Sequence, residues 1–480
     1  MKKFIAIDLG TTLIKCVLFD EEGQTLATES TRCNLEYPKQ GYVEQDAQTW
    51  YEGVCETISR LVKYCDPKDV KGISISSQGI SVVPVDENFH PLRKAISWLD
   101  GRAGEECKLL VEAQGDENWY ALTGKRTSAG WSMALLYWLK RNEPEIFEKA
   151  YKFMLPMDYV NARLTGNAVI DHTMAAGTMG FIIKESDWSD KILSVVGIKR
   201  EQMSQIQPAG ALVGTLNEET VRLTGLSPET QVFNGGQDQK IAAYAAGISE
   251  QLVSLSLGTS GAMEIYVEHP EVQTVFPFFP HIIPGKIVVE TCVSTTGAAI
   301  QWLKDTVCSD IDFNEVNRLA AESPMGSNGV RFYPHLSQPG APHMGRSEYG
   351  SIREISLGTT RGDLIRSLYE GLSYEFRINL EYAKRIGSKV QELILFGGVS
   401  KSEVFCQILS DVTGMTLYVA ENGEFGAIGA AKLAVKGVGL DENAFAEAAM
   451  GGKKKYVPDP EKTELYNVLY GEYIKYYETT

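Results

Sequence analysis

The stretch Phe4-Ile-Ala-Ile-Asp8-Leu-Gly10-Thr11-Thr12-Leu-Ile-Lys15-Cys-Val-Leu-Phe19-Asp20 decides how the chain is read. Two apolar runs, Phe4–Ile7 and Ile14–Phe19, flank an Asp-x-Gly-Thr-Thr turn, and this pattern predicts a β-hairpin. Gly10 lets the backbone approach a ligand closely. Successive N–H groups and the Thr11 and Thr12 hydroxyls suit phosphate oxygens. Asp8 stands where a carboxylate can hold hydrated Mg²⁺ beside those phosphates. For the motif alone, a plain strand–turn–strand is the competing reading.

A second copy changes that balance. Val253-Ser-Leu-Ser-Leu-Gly258-Thr259-Ser260-Gly261-Ala-Met-Glu-Ile-Tyr-Val267 again sets Leu-Gly-Thr-(Thr/Ser) between two strand-like runs. The copies lie about half a chain apart, which predicts two halves of similar design. Ser256 replaces the Asp8 carboxylate, so one turn carries an acid and the other only hydroxyls. Metal on one side of a cleft and phosphate donors on the other would fit this asymmetry.

With 480 residues and 44% hydrophobic content, the chain holds material for two cores. Its net charge of −16 argues against a nucleic-acid partner, because no basic stripe is available to displace counterions. Lys453-Lys454-Lys455, beside Gly451, Gly452 and Pro458, reads as a solvated loop. Eight cysteines show no CxxC pair and no metal-like spacing with the six histidines. Free thiols in a reducing, cytoplasmic setting are therefore expected. The apolar run after Lys2 and Lys3 is cut by Asp8 and is too short for a signal peptide. No stretch nears the roughly 18 apolar residues of a membrane span.

Along the chain, the hairpin is followed by a strand at Thr25–Thr31, a helix at Trp50–Tyr64 and a strand at Gly72–Ser76. That order resembles the opening of the actin-like, ribonuclease-H-like ATPase fold. Further helices are predicted at Trp131–Arg141, Pro144–Ala150, Met157–Leu164, Leu216–Thr224 and Lys240–Ala246. The second half repeats the logic with strands at Val253–Leu257, Met263–Val267, Lys286–Cys292, Leu393–Phe396 and Thr416–Val419. Its helices are expected at Gly297–Val307, Arg361–Arg385, Val404–Thr413 and Ala427–Lys436. Glu268–Phe279 and Ser337–Gly350 read as excursions from the core. The expectation is an α/β chain of two actin-like domains, residues 1–247 and 248–480, with an interdomain catalytic cleft.

Six motifs occur in order: DLGTT with Lys15, Trp98-Leu-Asp100-Gly-Arg102, Gly235-Gly-Gln-Asp238-Gln239, Ser256-Leu-Gly258-Thr259-Ser260-Gly261, the Thr295–Asp305 run, and the Phe396–Gly414 run. The series resembles the FGGY carbohydrate kinases, such as xylulokinase, gluconokinase and glycerol kinase. Trp138-Leu-x-Arg141-Asn142, Pro156-x-Asp158-Tyr159 and Ser367-x-Tyr369-x-Gly371 extend the likeness.

The resemblance implies phosphoryl transfer from ATP with Mg²⁺, chemistry that mainly requires positioning and charge neutralisation. Lys15 would reach the transferring phosphate, and Gly258, Thr259 and Ser260 would cradle phosphate from the other half. Gly397 and Gly398 follow a buried-type strand, where missing side chains let a nucleotide lie against the backbone. By likeness to glycerol kinase, Gly398 and Ser402 would flank adenosine, with Gly297 and Gln301 also touching the nucleotide. Asp238, in a glycine-rich turn before the helix Ile241–Ala246, is the candidate general base, with an N-cap role as its structural counterpart. Gln239 would be a substrate ligand.

Ser77-Gln78-Gly79 occupies the place where xylulokinases read Met-His-Gly and glycerol kinases read Gln-Arg-Glu. Losing the His departs from a plain xylulokinase, and losing Arg-Glu argues against glycerol. Gly130 fits the xylulokinase pattern, while Leu135 replaces a family Lys. Asp100 and Arg102 line the cleft or form a structural ion pair. The expected partners are ATP and a small sugar or polyol, a ketopentose favoured over gluconate, glycerol or erythritol. Homodimerisation is left open. The rival from another class is a chaperone-type ATPase of the same superfold.

Overall fold

Alternation gives way to continuous apolar sequence in the first strand, as expected where both faces of a strand are covered. Phe4, Ile5, Ala6 and Ile7 are all fully buried. The computed structural model describes residues 1–268, 276–337, 342–343 and 349–479. The first unit is built on strands β1 (Lys3–Leu9), β2 (Leu13–Asp20), β3 (Thr25–Arg32), β4 (Val70–Ser77), β5 (Leu212–Thr215) and β6 (Gln231–Gln237). They lie in the order β5-β6-β4-β1-β2-β3. The β1–β2–β3 meander is antiparallel, whereas β1, β4 and β6 run parallel. The Gln48–Leu61 helix packs on β2 and β3.

The second unit uses β7 (Leu252–Leu257), β8 (Gly261–Val267), β9 (Ile287–Val293), β10 (Glu392–Phe396), β11 (Thr416–Ala420) and β12 (Lys453–Tyr456), in the order β9-β8-β7-β10-β11-β12. β7 and β8 form an antiparallel hairpin, and β10 and β11 join it in parallel. These six strands of a seven-stranded sheet repeat the order of the first, with each LGT turn at the hairpin between its unit's two founding strands. Both units therefore carry the sheet of the actin-like fold.

The division of the chain differs from a single cut after residue 247. The break at Ala246/Gly247 is present, but residues 277–287 and 424–450 also belong to the first unit. The reason is visible in the Phe425–Gly437 helix. Its small residues allow close seating: a Cβ added at Gly429 would lie 2.3 Å from the Ile241 carbonyl oxygen, and Gly72 in β4 faces Ala434. Phe445 then packs edge-on against Phe4 and Phe19.

Several elements escaped the sequence reading. The helices Phe313–Glu322 and Pro460–Thr479 were not anticipated, and Lys453–Tyr456 is an edge strand of the second sheet rather than a loop. The Pro460–Thr479 helix places tyrosines on acids buried in the Arg361–Arg385 helix. Tyr466 donates to Glu370 at 2.9 Å and Tyr473 to Glu375 at 2.8 Å. Residues 269–275, 338–341 and 344–348, parts of the two expected excursions, lie outside the described residues. All eight cysteines are unpaired. No described helix is long and apolar enough to cross a membrane.

Asp158 shows how a family motif serves the fold. It sits at the third position of the Pro156–Thr165 helix, accepting from the Leu155 N–H at 2.8 Å and from the Ser204 hydroxyl at 2.5 Å. Burial raises its carboxyl to about 7, against these hydrogen bonds. Asp171 is raised to about 6 for the same first reason. A carboxyl with a raised folded value binds its proton more tightly folded than unfolded, so stability falls as pH climbs from 3.8 towards 7. Asp158→Asn should flatten that decline in melting temperature, and an unaltered pH profile would show the group does not titrate there.

Candidate active site

The carboxyl ends of three parallel strands bring the chemistry together. In register, Asp8 of β1 neighbours Ser76 of β4 and Leu9 neighbours Ser77, while Gly236 and Gln237 of β6 neighbour Ser76 and Ser77. The DLGTT turn, the Ser77-Gln78 pair and Asp238 therefore leave adjacent strands at one edge, the usual ligand edge of a parallel sheet.

At the turn, the Gly10 N–H donates to the Leu13 carbonyl at 3.0 Å, so tightly that a Cβ on Gly10 would come within 2.9 Å of that oxygen. Thr11 is held from two sides. The Trp98 indole donates to its hydroxyl at 3.2 Å, and the Gln45 amide donates to its carbonyl at 2.7 Å. The Thr12 carbonyl accepts from Cys33 at 3.0 Å. Asp8 and Lys15 face each other across the hairpin. Burial holds the Asp8 carboxyl above the usual carboxylate range, opposed by Lys15 and reinforced by Glu424. The Lys15 ammonium meets the Glu424 carboxylate at 2.5 Å.

On the neighbouring strand, the hydrogen bonds fix the orientation of two buried amides. Gln45 must point Nε2 at the Thr11 carbonyl, which only accepts, so its Oε1 faces Gln78. Gln78 then donates Nε2 to it at 3.1 Å and presents its own Oε1, which is buried without a hydrogen-bond partner. The Gln78 N–H is used by the Leu9 carbonyl, and the Ser77 hydroxyl by the Gln78 carbonyl. Two residues on, Ile80 has φ of +54°, a costly conformation for a β-branched side chain and one that concentrates at functional sites.

Asp238 does not lie in a glycine-rich turn, as expected, because β6 runs through Gln237 and the Asp238–Ala246 helix starts at once. The glycines serve strand contact instead: a Cβ on Gly235 would sit 1.7 Å from the Ile75 carbonyl oxygen. Asp238 Oδ1 accepts from Gln237 Nε2 at 2.6 Å and from the Gln239 N–H at 2.7 Å. These two donors fix the carboxylate at the head of the helix.

Asp100 and Arg102 are spent on each other. Arg102 donates to both Asp100 oxygens and to Glu44, and the Val43 N–H also donates to Asp100. The guanidinium stacks over Tyr42, 3.9 Å from the ring centroid. The geometry is that of an ion pair supporting the wall.

In the second unit, the Gly258–Ser260 turn lies against the start of the Gly297–Val307 helix. The Gly297 and Ala298 N–H groups donate to Gly258 and Thr259 at 3.0 Å each. Gly397 requires its missing side chain, with φ of +98° and an added Cβ only 2.6 Å from the Leu257 carbonyl oxygen, whereas Gly398 faces open space. Ser402 caps the Glu403–Thr413 helix and donates to Asn317 at 2.6 Å. Gln301 is bound to Asp305. Gly398 thus leaves open backbone, while Ser402 and Gln301 are engaged within the unit.

Glu424 and Gln45 were missed by sequence reasoning. An acid two residues before the glycine- and alanine-rich run Gly426–Ala431 is the available signal for Glu424, and Gln45 leaves none.

The fold is a two-unit α/β chain with a Leu-Gly-Thr hairpin turn in each sheet and a carboxylate at the strand edge of the first. Models of the FGGY family of carbohydrate kinases match residues 3–245 with their N-terminal domain and 253–438 with their C-terminal domain. The chain is 29% identical to a xylulose kinase of Staphylococcus xylosus over the whole of both chains. It is 30% identical to one of Bacillus subtilis, over 100% of this chain and 97% of the other. A crystal structure of xylulose kinase from Rhodospirillum rubrum superposes with a TM-score of 0.93 at 26% identity, covering 100% of this chain and 99% of that one. The chain belongs to the FGGY family of carbohydrate kinases, ATP-dependent phosphotransferases with an alcohol acceptor. The chaperone-type alternative falls away with that membership.

Proposed function

We propose that the chain phosphorylates a five- or six-carbon sugar, with a ketopentose such as xylulose favoured and Asp238 as general base. The observation that carries this reading is the shared strand edge, where the register pairs Asp8 with Ser76 and Gln237 with Ser77, and Gln78 and Asp238 follow directly in the chain. The sugar hydroxyl oxygen attacks the γ-phosphorus, the bond to the β-phosphate bridging oxygen breaks, and ADP departs. The hydroxyl proton passes to Asp238, whose Oδ1 is already oriented by two donors. Lys15 neutralises charge on the moving phosphoryl group, and the Gly10–Thr12 and Gly258–Ser260 turns hold phosphate oxygens.

Asp8 is suited to hold Mg²⁺, since a single carboxylate is what a cation arriving with its phosphates asks of a protein. Bound there, Mg²⁺ would supply further neutralisation of the phosphates. Gly397 and Gly398 would lie along the nucleotide. The Gln78 oxygen requires a donor, and a sugar hydroxyl supplies one.

The same pocket should discriminate against glycerol, because Gln78 and Gly79 stand where glycerol kinases carry Arg and Glu. A three-carbon polyol also leaves polar groups built for a longer chain unpaired, at about 1–3 kcal/mol each. The best sugar should exceed glycerol in kcat/KM by roughly 30-fold or more. A glycerol value equal to that of every sugar would overturn the pocket assignment.

A further inference from the structure

We infer that Glu424 is a gate on Lys15, its carboxylate competing with the nucleotide's phosphates for the same ammonium group. This rests on the reading of Lys15 as a phosphate ligand. The contact itself is direct, with Nζ and Oε2 2.5 Å apart.

Glu424 is not a roaming surface acid. It is the first residue of the 424–450 segment of the first unit and directly precedes the Phe425–Gly437 helix. That helix is fixed against the site by Gly426, where an added Cβ would lie 3.1 Å from Ser76 Oγ and 3.4 Å from Asp8 Oδ1. Gly429 anchors the next turn against Ile241. Its side chain does not cap that helix, and its carboxylate meets Lys15.

Charge and exposure give the contact its sense. Asp8 lies opposite Lys15 in the hairpin register, so one ammonium answers two carboxylates. The Glu424 carboxylate thus stands where a polyphosphate has to be received, and like charge penalises an approaching anion. The pair is open to solvent, with the Lys15 side chain 23% and the Glu424 side chain 48% exposed. Pairs this exposed contribute little to stability and break readily. Glu424 is therefore a weak, displaceable counter-ion, which a gate needs and a structural strut does not.

Binding of Mg·ATP without sugar, measured by calorimetry, tests the inference. Glu424→Gln should tighten binding about two- to fivefold, the range expected for losing one exposed ion pair. The gain should vanish in a Lys15→Met background, and in the native background it should shrink as ionic strength rises. Glu424→Ala should act in the same direction, with melting temperatures of both variants near wild type. Unchanged or weaker binding in Glu424→Gln would overturn the gate, as would a gain indifferent to salt or to the loss of Lys15. Because the readout needs no sugar, failure of the sugar kinase reading would be seen separately, in turnover.

Discussion

Asp238→Ala should lose nearly all sugar phosphorylation, about 10²–10⁴-fold in kcat, the range typical of removing a general base. Nucleotide binding should be largely retained, because the proposed phosphate and nucleotide contacts lie at Gly10–Thr12, Lys15, Gly258–Ser260 and Gly397–Gly398. The substitution also removes the acceptor for Gln237 Nε2 and the Gln239 N–H at the helix start, which costs about 1 kcal/mol of stability. Asp238→Asn separates the two effects, since it keeps an acceptor oxygen but cannot take the proton. Both variants should be folded, bind ATP and turn over poorly. Near wild-type turnover in either would remove Asp238 from the base role.

Gly235→Ala should be the most destabilising of the conservative substitutions considered. Its Cβ would run into the Ile75 backbone, at 1.7 Å from its oxygen, 2.7 Å from its carbonyl carbon and 3.0 Å from its nitrogen. Backbone within a sheet cannot swing aside as a side chain can. β4 and β6 must separate, at about 3 kcal/mol or more, or a melting temperature lower by roughly 6–12 °C. Gly398→Ala is the control, since nothing lies within 4 Å of its added Cβ. Equal melting of Gly235→Ala and wild type would contradict the β4–β6 register, and with it the placement of Gln237 beside Ser77 that sets Asp238 at the strand edge.

The local signals were legible. Both LGT hairpins, the parallel strands that join them and most of the helices follow from apolar runs and turn chemistry that lie within a few residues of each other. What sequence did not disclose depends on distant partners. The Phe425–Gly437 helix reads as a small-residue helix of the second half, yet its glycines fit the first sheet. The Gly235-Gly236 pair looks like a turn because glycine is common there, but here the cause is strand approach. The sequence leaves Asp100 and Arg102 open between two roles, and distant Glu44 and Val43 complete the ion-pair network that decides it. Glu370 and Glu375 would be placed on a wet helix face by their charge. The tyrosines of the Pro460–Thr479 helix bury them, and those tyrosines are nearly a hundred residues away in sequence.

The central claim is sugar phosphorylation at the strand edge that carries Asp238. Coupled ADP-release assays over pentuloses, hexuloses, sugar acids and polyols, with Mg·ATP, test it most directly. The account predicts that a ketopentose or similar neutral sugar raises ADP formation well above the sugar-free rate, with one sugar phosphate formed per ADP. ADP release that no sugar stimulates, or that proceeds without a phosphorylated product, would contradict it.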